Sequence, residues 1–162
     1  MNEKRDETDL DVYATAATIG AVAGLRCLTA PALLGYFASR ENAGELKNNL
    51  LSSPKVAAVV GALAIGELIG DKLPSTPNRT EPTGLIARIV SGAFVGGSIC
   101  AARKKNVLTG AALGAVAAVA AAYAGQNIRR EICDETGIPT AALGAVEDGI
   151  AISVGINALK NF

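Results

Sequence analysis

The 162-residue sequence has no histidine and no tryptophan, one methionine, three phenylalanines and three tyrosines. Without histidine it lacks the commonest general base and a common zinc ligand. It also lacks net charge, with fifteen Lys and Arg against fifteen Asp and Glu, so the basic surplus of a nucleic-acid binder is missing. Three cysteines, Cys27, Cys100 and Cys133, show no pairing rhythm and cannot close a disulfide framework. Half of the chain is hydrophobic, which excludes a disordered tail. No catalytic residue, cofactor or metal is assigned. An enzyme would need a carboxylate mechanism or an undetected cofactor, and the reading leans against one.

What is abundant is alanine and glycine, together close to a third of the chain. Between Lys105 and Arg129 lie 23 residues without a formal charge, Asn106 to Ile128. At about 1.5 Å per residue this run can cross a hydrocarbon core of roughly 30 Å. Four other apolar stretches have similar length but carry charges: Val12–Ala38, Val56–Leu73, Thr83–Ala102 and Ile138–Leu159. Polar or proline-containing connectors separate them (Ser39–Lys55, Pro74–Pro82, Arg103–Lys105, Arg129–Gly137). Strand-like alternation is poor. The expectation is an all-α, polytopic transmembrane bundle of about five spans. It follows a solvated tail over residues 1–11, and residues 12–162 form a single domain. The alternative weighed is a soluble alanine-rich bundle.

In a bilayer helices associate by close packing, which favours small residues at four-residue spacing. Gly20/Gly24, Gly66/Gly70, Gly92/Gly96 and Gly110/Gly114 have that spacing, so a bundle tightly packed through Gly/Ala faces is expected. Ionisable residues inside spans are costly unless paired or hydrated, and point to function. Glu67 and Asp71 lie one turn apart on one helical face. Glu147 and Asp148 adjoin a small-residue stripe, Gly144, Ala151 and Gly155. Thr15, Thr18, Arg26 and Thr29 fall near one angular position. With Arg26 and Arg88 as the cations inside spans, four carboxyls outnumber two arginines. The excess must be protonated, reach the interface or hold a cation. Glu67, Glu147 and Asp148, with Asp71 and with Arg26 as counter-charge, are therefore the candidate transport or ion site.

Three groups of residues occur in order. They are Gly24-Leu25-Arg26 with Pro31-Ala32; Gly66-Glu67-Leu68 with Asp71-Lys72-Leu73-Pro74 and Pro77-Asn78-Arg79; and Val146-Glu147-Asp148-Gly149-Ile150-Ala151-Ile152. Together they resemble a family of small integral membrane proteins known as domain of unknown function 4126, over about Ala14 to Asn157. The resemblance implies a multi-span helical protein and no assigned activity. A fainter echo relates Arg26…Pro31 to Arg130…Pro139, as in transporters built from inverted repeats.

The functional expectation is a small-solute or ion transporter, proton-coupled, in the cell (inner) membrane. Its partners are the lipid bilayer and protons or a small cation, with homo-oligomerisation left open and no nucleic acid. The rival is a non-transporting membrane scaffold or assembly factor that binds partner helices. Water-filled volume around the carboxyls would favour transport, and a dry, ion-paired core the scaffold.

Overall fold

The computed structural model describes residues 3–40, 46, 52–70, 81–136, 138–160 and 162. They form six helices: α1 (Glu3–Leu25), α2 (Thr29–Ala38), α3 (Pro54–Gly70), α4 (Pro82–Ala102), α5 (Val107–Thr136) and α6 (Thr140–Lys160). No strand occurs among the described residues.

The local signals that start and stop these helices are ordinary. Glu81 is extended and Pro82 follows at the first helical position of α4, where the missing N–H is no loss. At the far end of α4, Lys104 takes a positive φ of 53°. Lys105 N–H returns to Cys100 O at 2.8 Å and Lys104 N–H to Ala101 O at 3.1 Å, which closes the last turn. Asn106 Oδ1 then accepts from Leu108 N–H at 3.0 Å and Thr109 N–H at 3.2 Å, the cap that starts α5.

α1, α4 and α5 pack against one another at the centre, α6 lies on α1 and α2, and α3 packs chiefly on α2. Gly114 is where the three central helices meet. A Cβ on Gly20 of α1 would come within 2.5 Å of Gly114 Cα, and one on Gly92 of α4 within 2.5 Å of Gly114 O. Any side chain at these positions would force backbones apart. Gly66 differs: nothing lies within 4 Å of where its Cβ would be. The Gly66/Gly70 repeat, read from spacing as a crossing, faces open space at Gly66.

The stretch Val12–Ala38, expected as one span, is two helices with a break at Arg26–Leu28. Pro31 explains it. In a continuous helix Pro31 would have to bond Cys27 O, but it has no N–H and its ring clashes with that carbonyl. After the break α2 doubles back. Gly155 on α6 lies against both Val22 of α1 and Leu33 of α2, seven residues beyond Asp148, which pairs with Arg26. Both arms thus run from the break towards the same end of α6. Gly20 meets Gly114 and Gly24 meets Ala118, so α1 runs parallel to α5. Its tip therefore stands close to the middle of the uncharged run 106–128.

Among the described residues three helices are long and apolar enough to cross a membrane: α4, α5 and the Ala142–Lys160 part of α6. α3 has 17 residues. α1 begins at Glu3, inside the segment read as a tail, and Asp9 pairs with Lys105. Polarity is distributed as in a membrane-embedded protein. Arg26 is 1% exposed, the largest fully buried side chain, whereas Leu108 is 79% and Val116 69% exposed. Water would not tolerate so many apolar side chains outside, but lipid does.

Two outcomes follow. The protein should fractionate with membranes and resist carbonate extraction, and recovery as a soluble monomer without detergent would contradict the spans. Gly114→Leu should abolish a monodisperse peak in detergent size-exclusion chromatography, whereas Gly66→Leu should elute as wild type.

Candidate functional site: the break between α1 and α2

A helix break at membrane depth frees peptide groups that lipid cannot satisfy. Here four of them, Cys27 N–H, Leu28 N–H, Gly24 O and Cys27 O, are met by side chains from α3 and α4. In an unbroken helix Leu28 N–H would donate to Gly24 O, and Cys27 N–H to Ala23 O. Instead the Glu67 carboxylate of α3 accepts both, from Cys27 N–H at 2.8 Å and from Leu28 N–H at 2.8 Å. Gly24 O takes a hydrogen bond from Arg88 Nε of α4 at 2.9 Å. Arg88 Nη1 also donates to Gly84 O at 3.1 Å. Cys27 O, the carbonyl that Pro31 cannot serve, accepts from the Ser91 hydroxyl of α4. Leu28, the residue before α2, has no side-chain cap of its own. Glu67 supplies that cap in trans, with its negative charge at the positive end of the helix.

The Arg26 side chain leaves the break in another direction and forms a buried ion pair with Asp148 of α6. Glu147, the next residue, points elsewhere and pairs with Arg129 of α5. Gly125 and Gly144 make room for that pair: a Cβ on Gly125 would sit 2.9 Å from Glu147 Oε1, and one on Gly144 3.5 Å from the Arg129 guanidinium. The candidate residues thus divide. Arg26, Asp148 and Glu67 gather around the break, and Glu147 belongs to a neighbouring pair. Asp71 and the Pro74–Arg79 connector lie outside the described residues.

The expected excess of acids does not hold among the described residues. α5 runs on to Thr136, so Arg129, assigned from the sequence to a connector, is a helix residue facing Glu147. Three carboxylates, Glu67, Glu147 and Asp148, then stand against three arginines, Arg26, Arg88 and Arg129. Ser91 and the peptide groups of Cys27 and Leu28 were not picked out from the sequence. Pro31 was the available signal, since it names Cys27 O as the orphaned carbonyl four residues earlier.

Two hollows adjoin this centre. One, about 490 Å³, lies between α1 and α6 and is lined by Asp11, Thr15, Thr18 and Asn157 among others. One turn further along the same helices, Val22 and Ala151, both buried, separate it from Arg26 and Asp148. The other, about 380 Å³, is an apolar groove between α5 and α6, bordered by Arg129 and Glu147. No group of three or more Cys, Asp or Glu side chains placed to hold a metal occurs among the described residues.

The fold is a helical bundle whose three long apolar helices suggest a membrane-embedded protein, and its first apolar stretch is a broken hairpin closed by charged side chains from three neighbouring helices. Over residues 13–161 the chain matches the family described as Domain of unknown function (DUF4126), and it belongs to that family. No curated protein and no solved structure matches it.

The Arg26–Asp148 pair is 2% and 10% exposed at its side chains, so removing one partner strands a buried charge. Arg26→Ala should destabilise by about 3–5 kcal/mol, read as a fall in detergent Tm on the order of 10 °C. The double variant Arg26→Met/Asp148→Leu should recover most of that loss. Equal Tm values for the single and double variants would show that the pair is not coupled.

Proposed function

We propose that this protein is a small-solute or ion transporter of the cell (inner) membrane, coupled to protons through Glu67. One observation carries the reading: a helix break near mid-span, with a carboxylate from a neighbouring helix on its free N–H groups. Discontinuous helices of this kind form the central sites of many transporters, where half-helix ends face the transported group. Glu67 is an exchangeable partner in a way that Asp148 is not. Among the described residues its partners are backbone donors, and α3 packs chiefly on α2. The polar hollow along Asp11, Thr15 and Thr18 supports an approach from one side, stopping one side-chain layer short of Arg26. On this reading α1–α2 and α3 complete the membrane domain beside α4, α5 and α6, held by the small-residue faces.

A second reading has its own support. The Arg26–Asp148 and Arg129–Glu147 pairs are the ion-paired arrangement expected of a structural core. The exposed face of α3, with Val59, Leu63 and open Gly66, suits a scaffold that receives a partner helix.

Ion and proton flux in proteoliposomes separates the two. Transport predicts measurable proton-coupled flux that Glu67→Gln reduces at least about tenfold, because the amide cannot carry the proton. The scaffold predicts no flux in either protein, together with a co-purifying partner that Gly66→Leu removes.

A further inference from the structure

We propose that the tip of the α1–α2 hairpin is a binding site for a small monovalent anion, and that the Glu67 carboxylate is its tethered internal occupant. The argument starts from what surrounds that carboxylate. Cys27 N–H and Leu28 N–H point at it, and behind them begins α2, ten residues long, with its positive end towards the break. Thr29 is the first residue of α2 and is 4% exposed, and its hydroxyl has no hydrogen-bond partner among the described residues. As the first residue of α2, Thr29 places this buried hydroxyl at the same end of the helix as the Cys27 and Leu28 N–H groups. Arg88 stands within electrostatic reach of the Cys27 thiol, as Glu67 does.

Apart from Glu67, these groups offer hydrogens and positive charge. Among the described residues a metal cation would find there the Glu67 carboxylate and the Cys27 thiol, and no group of three such ligands. An anion would find two peptide donors, a free hydroxyl and a guanidinium, the chemistry of an anion site.

The charge balance sets how the site exchanges. Among the described residues, the charged and titratable groups around the break are Cys27 beside Glu67, Arg88 on α4, and Arg26, whose side chain turns away to pair with Asp148 on α6. When Glu67 takes up a proton it withdraws one negative charge, and an entering monovalent anion restores it. Proton and anion enter together as a neutral pair, which avoids an uncompensated charge at membrane depth. This gives the transport reading a substrate class and rests on it only for movement across the membrane. Occupancy of the tip is tested without flux.

The test is chemical rescue. Glu67→Ala removes the tethered carboxylate, and Glu67→Gln keeps its shape but not its charge. Tm of the detergent-purified full chain is read in sodium formate, bromide or gluconate, each at about 100 mM and equal ionic strength. Formate and bromide should raise the Tm of Glu67→Ala by about 4 °C or more over gluconate, saturably. Glu67→Gln should move in the same direction, and the wild type, whose site is filled, by less than about 1 °C. Recovery of folded Glu67→Ala only in formate or bromide counts as the same result. Failure of both variants to fold in any salt, or an anion response no larger than that of wild type, would overturn the site. Anion rescue without proteoliposome flux would keep the site and reject the transport reading.

Discussion

The break between α1 and α2, and the side chains gathered on it, depend on one missing hydrogen-bond donor. Pro31 cannot bond Cys27 O, so the first apolar stretch breaks there and its peptide groups need other partners. Water could serve them at a surface. Where Gly24 packs on Ala118 of α5 other helices surround them, and an unsatisfied buried group costs several kcal/mol. The fold answers with Glu67, Arg88 and Ser91, each supplied by a different turn of α3 or α4. Those residues are therefore tied to Pro31 as one unit, although they lie up to sixty positions away.

The small residues make that unit reachable. Arg88 touches Gly24 O because α4 and α1 both press against the backbone of α5 at Gly114. Were Gly20 and Gly92 larger, the helices would separate and the guanidinium would have to cross the gap. Glycine at the crossing and arginine at the break are thus two parts of one geometric condition. The same holds on the other side, where Gly125 and Gly144 leave the space in which Arg129 and Glu147 meet.

Much of the helical architecture was legible in the chain, for reasons that can be traced. The uncharged run 106–128 and the Pro82 and Asn106 boundaries are local signals, and they mark α4 and the start of α5. The break was not legible as a break, because Pro31 is tolerated in the first turn of α2 and leaves the apolar run intact. The charge count changes for a related reason: Arg129 reads as the start of a connector, and only the continuation of α5 to Thr136 brings it to Glu147 as a third cation. Glu67 could be singled out as an intramembrane carboxylate. Its partners could not be, since backbone N–H groups carry no signature in a sequence. Arg26 and Asp148 were both singled out as charges within spans, and the antiparallel run of α1 and α6 brings them together.

On the transport reading proposed above, that difference in partners selects which acid would move. Asp148 is held by a buried guanidinium on a helix packed against both α1 and α2, and moving it would strand Arg26. Glu147 is held in the same way by Arg129. Glu67 alone can leave without separating a salt bridge that the structure displays, since a proton on its own carboxyl and another anion on the peptide donors restore the local balance. It also sits on the helix with the fewest neighbours, whose outer face meets open space at Gly61 and Gly66. A shift of α3 therefore disturbs less packing than a shift of any central helix. If one element of this bundle moves in function, the balance of charge and the balance of packing select the same one.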